Sequence, residues 1–179
     1  IDGNGCSDDA TLSIVAPPAI QPSIQIVSDF NGEAISCPGA NDGSLESFPV
    51  NGLAPYTYSW DHGPLTKTVN GLGQGTYGVT VTDDYGCQVN TTFDLEEPVP
   101  MLLNFSKTSY NGSDLTCHNA NDGEVQVNVS NGISPYSYLW SQGSAVSGIS
   151  GLSAGTYSVM VTDQNGCVQS DQVAIINPD

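Results

Sequence analysis

An internal repeat constrains the fold of this 179-residue chain more than any other feature of its sequence. Cys37 and Cys117 are 80 positions apart, and residues 37–87 align with residues 117–167 without a gap, sharing 23 of 51 positions. Such self-similarity at a fixed period is typical of structural units arranged in tandem along a chain. The chain is therefore expected to fold as copies of one unit, each contacting mainly its neighbours.

A third, partial copy of the repeat opens the sequence. Cys6 and Pro17 match Cys87 and Pro98 at a spacing of 81, and we assign the additional residue to the Pro17-Pro18 linker, where insertions are tolerated. The predicted organisation is the last strand of one repeat (residues 1–17), a first complete repeat (residues 18–97) and a second complete repeat (residues 98–179). The abrupt start inside a repeat indicates a piece of a longer protein.

The local patterns within each repeat are typical of β-structure. Val125, Val127 and Val129 alternate with polar residues before the turn signal Asn131-Gly132. Aromatic residues alternate in the same way at Tyr56, Tyr58 and Trp60, and again at Tyr136, Tyr138 and Trp140. No window has a 3.6-residue period. We predict an all-β fold, with about six or seven short strands in each copy forming tandem immunoglobulin-like antiparallel β-sandwich domains.

The formal net charge of −17 excludes several classes of partner. Two lysines and no arginine stand against 19 acidic residues. Nucleic acid and anionic membrane surfaces are held by basic side chains, so neither is an expected partner. No run of residues approaches the length of about 18 apolar residues that a membrane span needs, so direct membrane insertion is not expected.

Catalytic and zinc-binding constellations are missing from the repeated positions. No His, Lys or Glu occupies equivalent positions in both copies, although a module repeated for its chemistry would keep such residues. His62 matches Gln142 and His118 matches Pro38, and no Cys-x-x-Cys pair is present. The sequence therefore predicts a protein that is not an enzyme and has no catalytic residues.

The cysteines occupy repeat-locked positions, which indicates disulfides and an extracytoplasmic location. Three pairings respect the period. Cys37–Cys87 with Cys117–Cys167 closes each repeat on itself and leaves Cys6 without a partner, which would lie upstream. Cys6–Cys37 with Cys87–Cys117 would join neighbouring repeats, and Cys37–Cys167 would join an early loop to a late turn of the next repeat. We prefer the first pairing because it makes each repeat self-contained.

Aspartate recurs at two positions of the repeat, as Asp42 with Asp122 and as Asp83 with Asp163. Each lies beside Asn or Gly in a turn, where a carboxylate commonly accepts hydrogen bonds from nearby backbone amides. Calcium coordination is the alternative, although the spacing of an EF-hand loop is absent. We favour the turn-forming role and keep these aspartates as weak candidates for a structural Ca²⁺, the one cofactor considered.

The recurrent motif resembles the SprB repeat. It runs Cys-x₃-Asn-Asp-Gly, Asn-Gly-x₂-Pro-Tyr-x-Tyr-x-Trp-x₂-Gly and Gly-Leu-x₂-Gly-Thr-Tyr-x-Val-x-Val-Thr-Asp-x₂-Gly-Cys, over residues 37–87 and again over 117–167. Many members of the family carry Gly-Gly where this chain has Asn51-Gly52 and Asn131-Gly132. The resemblance implies a very long surface protein of Bacteroidetes, of the kind exported by type IX secretion and including mobile adhesins of gliding cells.

The expected function is that of a stalk segment in a secreted, surface-anchored adhesin, extracellular and partnered by neighbouring repeats of the same chain. The alternatives are a segment of an extracellular filament, or repeats that bind polysaccharide or other surfaces directly. Sugar binding would use exposed aromatic side chains, for which Tyr85 and Tyr110 are the candidates near turns.

Overall fold

The structure is a computed structural model that describes Asn4 and residues 12–178. Two hydrophobic cores follow each other along the chain and share no residue. The first is built around Leu45, Trp60 and Val81, and the second around Val127, Trp140 and Val161. Each core belongs to one of the two complete repeats recognised in the sequence.

Twelve strands make up the described part of the chain, six in each repeat. The first repeat contains β1 (Ile24–Ile26), β2 (Gly43–Ser47), β3 (Thr57–Trp60), β4 (Thr68–Leu72), β5 (Gly75–Thr82) and β6 (Gln88–Leu95). The second contains β7 (Leu102–Lys107), β8 (Gly123–Ser130), β9 (Ser137–Trp140), β10 (Gly148–Leu152), β11 (Gly155–Thr162) and β12 (Val168–Ile175). No helix long and apolar enough to span a membrane occurs among these residues.

Each repeat is a sandwich of two three-stranded antiparallel sheets. The sheet orders are β1-β2-β4 and β3-β5-β6 in the first repeat, and β7-β8-β10 and β9-β11-β12 in the second. The strands arise from period-2 alternation, as in β8, where Val125 and Val127 are buried between exposed Glu124 and Gln126. The predicted all-β, immunoglobulin-like sandwich is confirmed.

Two aromatic features fix the packing of each sandwich. Trp60 on β3 is buried and donates its indole N–H to the carbonyl oxygen of Thr66, and Trp140 does the same to Val146. At the start of β5 the hydroxyl of Tyr77 donates to the carbonyl oxygen of Gly73, four residues upstream. A tyrosine that ties the corner before its strand in this way is typical of immunoglobulin-like sandwiches.

The additional residue of the first repeat lies at the end of β1, so its assignment to the Pro17-Pro18 linker is wrong. Ile26 pairs with Leu45, and its counterpart Lys107 pairs with Val125, which is still a spacing of 81. The spacing becomes 80 only after this point. In the first repeat Val27 donates its backbone amide to β2 and Ser28 accepts a hydrogen bond from β2 with its hydroxyl, whereas in the second repeat Thr108 makes both contacts with β8.

Most of the predicted partial strand, residues 1–17, lies outside the described residues, and Cys6 with it. Residues 12–17 form no strand, and Leu12, Ile14 and Val15 are more than four-fifths exposed. In a complete repeat the matching segment, β6, pairs with β5.

Candidate functional site

Each sandwich has two ends, which carry different loops. At one end lies the lower loop (residues 28–42 in the first repeat and 108–122 in the second), and at the other lies the upper turn (residues 83–87 and 163–167). The lower loop meets the corner between β4 and β5, since Gly73 closely approaches Asn41. The upper turn follows the opposite end of β5, so the length of that strand separates the two ends.

A disulfide joins the lower loop of the first repeat to the upper turn of the second. Cys37 is bonded to Cys167, with their Cα atoms 5.4 Å apart. Cys87 and Cys117 carry free thiols and are exposed. The bond therefore crosses the boundary between the repeats, in the third of the pairings considered from the sequence.

The preferred pairing within each repeat is wrong for a geometric reason. An eight-residue strand such as β5 is about 24 Å long. Cys37 and Cys87 lie at opposite ends of it, whereas the Cα atoms of a disulfide are usually within about 7 Å of each other. Consecutive repeats are stacked end to end, which brings a lower loop and the next upper turn together.

Asn165 forms a second connection across this junction. Its side-chain amide donates to the carbonyl oxygen of Phe30 (2.9 Å) and to that of Ser36 (3.3 Å). Its carboxamide oxygen accepts a hydrogen bond from the side chain of Asn31. One side chain of the second repeat is thus bound to three positions of the first.

The linker between the repeats packs on the same junction. The side-chain amide of Asn131 donates to the carbonyl oxygen of Pro100 at 3.1 Å, and Met101 is buried against Gly132. A cavity of about 240 Å³ remains beside the disulfide, with Glu33 and Asp163 among its lining residues. Disulfide, asparagine and linker together hold the two sandwiches in one relative orientation.

Neither lysine contributes to the junction. Lys67, which directly precedes β4, donates a hydrogen bond to Glu46 on the neighbouring strand β2. This hydrogen bond lowers the pKa of Glu46 and raises the pKa of Lys67. Lys107 is paired with buried Asp114 at 2.7 Å in the second repeat. The charged side chains lining the junction cavity are acidic, so attraction between opposite charges does not hold the repeats together.

The four candidate calcium ligands are bound to backbone amides of their own repeats. Asp83 accepts hydrogen bonds from Cys87 and Leu53, and Asp163 accepts them from Cys167 and Ile133. Asp42 and Asp122 accept hydrogen bonds from the amides of Ser36 and Thr116. The described residues contain no group of three His, Cys, Asp or Glu side chains placed to hold a metal ion, so these aspartates do not converge.

The two candidate sugar-stacking aromatics are separated by the length of the molecule. Tyr85 lies on the upper turn of the first repeat and is 67% exposed, and Tyr110 lies on the lower loop of the second. These are the two ends remote from the junction. The pair therefore forms no common stacking surface.

Recurrence between copies could not reveal Asn165. Its counterpart in the first repeat is Tyr85, so a search for residues present in both copies discards it. Two repeats form only one junction, and a residue used there has no need to recur. The available signal was the position of Asn165 in the turn that ends at a repeated cysteine.

Comparison with known families found a match in each of the two repeats. The SprB repeat model matches residues 34–65 and 109–145, one segment in each sandwich, which confirms the resemblance. No curated protein matches the sequence.

Among solved structures, the matches include an intimin fragment and two proteins with immunoglobulin domains. The C-terminal 282-residue fragment of intimin, solved with the intimin-binding domain of its translocated receptor, is 11% identical, with a TM-score of 0.40; the match covers 91% of this chain and 65% of that one. The first two Ig domains of DIP-gamma are 12% identical, with a TM-score of 0.38 and coverages of 88% and 97%. The amphioxus IgVJ-C2 molecule is 14% identical, with a TM-score of 0.33 and coverages of 77% and 97%. Likenesses at this level carry no statement about function.

Proposed function

We propose that this chain is a non-enzymatic, load-bearing stalk segment of a large secreted adhesin at the cell surface, because the SprB repeat model matches one segment in each of its two repeats. The observation that carries the proposal is the covalent bond between Cys37 and Cys167, which locks consecutive repeats to each other. Neighbouring repeats of the same long chain are the partners that this role requires.

The position of the bond suits a chain that transmits tension. A force applied to the two ends of the protein passes through the disulfide. The backbone between Cys37 and Cys167, a separation of 130 residues, is therefore not stretched. Of the twelve strands in the described residues, all but β1 and β12 lie inside the closed loop. Both repeats can therefore carry load without most of their strands being peeled away.

The surface chemistry supports an extracellular site for this stalk. Disulfides form and persist in oxidising compartments outside the cytosol. A net charge of −17 disfavours close approach of distant segments of a long array and keeps it extended and soluble. Export by type IX secretion, and a parent protein that acts in surface attachment or gliding, are the finer parts of the proposal.

Single-molecule force spectroscopy of the full chain tests the stalk function. With the disulfide intact, we expect extension only from the segments outside Cys37–Cys167. A reductant should release a further length of up to about 440 Å, at about 3.4 Å for each of the 130 residues. A Cys87→Ser/Cys117→Ser double variant keeps the bond and should behave like the parent.

Equal contour lengths before and after reduction would contradict a load-bearing role for the bond. The filament alternative has a separate measurement, light scattering over a range of protein concentrations. A stalk segment stays a monomeric rod, whereas a filament subunit grows with concentration.

A further inference from the structure

Among the cysteines that the structure describes, the two free ones are the counterparts of the two bonded ones. Cys117 occupies the position of Cys37 in the lower loop of the second repeat, and Cys87 occupies the position of Cys167 in the upper turn of the first. Cys37 and Cys167 are half-buried at the junction, whereas Cys87 and Cys117 are exposed at the two remote ends. Each remote end thus displays one half of the junction formed inside the molecule.

The upper turn that carries Cys87 already has the backbone conformation of the bonded turn. The amide of Cys87 donates to Asp83 at 2.9 Å, and the amide of Cys167 donates to Asp163 at the same distance. In both turns the backbone hydrogen bonds between the aspartate, the glycine and the cysteine are also the same. The backbone of Cys87 is therefore held by the same hydrogen bonds as that of Cys167.

The lower loop that carries Cys117 is preformed in the same way. The amide of Ala120 donates to the carbonyl oxygen of Cys117, as Ala40 does to Cys37. Tyr110 and Ser113 form the isolated bridge that Phe30 and Glu33 form in the first repeat. The carbonyl groups of Tyr110 and Thr116 thus occupy the positions of the two carbonyls that Asn165 binds at the junction.

We propose that the lower loop of the second repeat is a docking site for the upper turn of a further repeat of this kind, closed by a disulfide from Cys117. The upper turn of the first repeat, with Cys87, is the complementary half. One staple would then be formed at every boundary, and because its separation of 130 exceeds the period of 80, successive staples would overlap. This inference holds whether or not the parent protein is an adhesin.

The covalent step uses a low-molecular-weight disulfide, such as oxidised glutathione, as the oxidant. The thiolate of Cys117 attacks one glutathione sulfur, forms a mixed disulfide and releases one glutathione thiolate. The cysteine thiolate of the docked turn then attacks the Cys117 sulfur and releases the second glutathione. Two protein thiols are oxidised to one disulfide, one oxidised glutathione is reduced to two glutathione thiols, and the two protons lost by the protein thiols are taken up, through the solvent, by the two glutathione thiolates.

A chain extended by one repeat provides the direct test. Residues 99–178 are appended after Pro178, the counterpart of Pro98, in a Cys6→Ser background, and the protein is refolded in glutathione buffer. Peptide mapping without reduction should find Cys37–Cys167 and a second bond from Cys117 to the appended copy of Cys167. A free Cys117, or a Cys87–Cys117 bond, would overturn the proposal.

Asn165 and Tyr85 supply a matched test of recognition between separate copies of the chain. A Cys87→Ser variant is mixed with a Cys117→Ser variant, both in the Cys6→Ser background, and their mixed disulfide is compared with either homodimer. Introducing Tyr85→Asn into the second partner restores the asparagine of the junction and should raise the mixed dimer several-fold. Dimers in statistical proportion, unchanged by Tyr85→Asn, would show random thiol collision and refute a built docking site.

Discussion

A buried ion pair in the second repeat has an apolar counterpart in the first. Lys107 donates to Asp114, whose carboxylate also accepts the amide of Ile176. By strand register, Ile26 occupies the position of Lys107, and Ala34 that of Asp114. The same sandwich therefore accepts a charged or an apolar pair, and charge at this position is not required by the fold.

Copying the first repeat into the second measures what the ion pair contributes. Lys107→Ile alone leaves the buried Asp114 carboxylate without its cation, and we expect a loss of about 3 kcal/mol in the free energy of unfolding. The double variant Lys107→Ile/Asp114→Ala removes both charges and should lose only about 1 kcal/mol, because the amide of Ile176 no longer has its acceptor. Denaturant unfolding of the single and double variants gives both values.

A double variant that is destabilised as much as Lys107→Ile, or more, would contradict a coupled pair, since residues in direct contact are expected to show an interaction energy. Glu46 and Lys67 offer a comparison in the first repeat. That pair is more exposed, so removing either partner should have the smaller effect that is typical of surface ion pairs.

At the scale of elements, the loop after β8 has a conformation that depends on Gly132. This residue has φ of +70°, and a Cβ atom on it would lie 2.5 Å from Cγ of Met101. Gly52 has the same relation to Ile20 in the first repeat. The glycine of each Asn-Gly pair therefore has a second role besides forming the turn. Because it has no side chain, it leaves space for the linker residue that packs against it, Met101 or Ile20.

Gly132→Ala should be more destabilising than an alanine at another glycine with positive φ. Both Gly132 and Gly143 would lose about 1–2 kcal/mol for the left-handed backbone, but the space around Gly143 is open to 4 Å. Crowding against Met101 should add about 1–3 kcal/mol at Gly132 only. Denaturant unfolding of Gly132→Ala and Gly143→Ala measures the difference.

Met101→Ala in the Gly132→Ala background provides the control, because it should recover the crowding part of the loss. Equal losses at Gly132 and Gly143 would mean that Met101 moves aside without cost.

The elements themselves were accessible from the sequence. Alternation predicted strands such as β8 and β9, and the Asn-Gly signal predicted the turn after β8, because these patterns depend on neighbours a few residues apart. The end of β1 was not accessible. Val27 and Ser28 together replace Thr108, and only the pairing with β2 and β8 reveals that the extra residue is accommodated there.

At the scale of the whole molecule, the junction escaped prediction because it occurs once in a chain of two repeats. Recurrence located the cysteines but could not say which ends of a sandwich they occupy. A self-contained repeat was a reasonable preference until the strand length separated Cys37 from Cys87. Stacking of consecutive sandwiches then determines the pairing, and this is a property of the array and not of either repeat alone.

Two of the three restraints at the junction, the disulfide and Asn165, can be removed separately. Reduction breaks Cys37–Cys167 but leaves the three hydrogen bonds of Asn165 and the packing of the linker. Net contributions of about 0.5–1.5 kcal/mol for each hydrogen bond would keep most molecules in the stacked arrangement. We expect reduction alone to leave the small-angle scattering profile nearly unchanged, and reduction of an Asn165→Ala variant to broaden the distribution of molecular dimensions.

Oxidised Asn165→Ala should scatter like the parent, since the disulfide alone still fixes the distance between the lower loop and the upper turn. Asn90→Ala, an exposed substitution on β6 away from the junction, controls for loss of an asparagine. Broadening of the parent on reduction alone would contradict a junction held by Asn165 and would assign the rigidity of the array entirely to the disulfide. In that case the stiffness of the stalk would follow the redox state of its surroundings, whereas a junction that stays closed keeps the repeats aligned in either state.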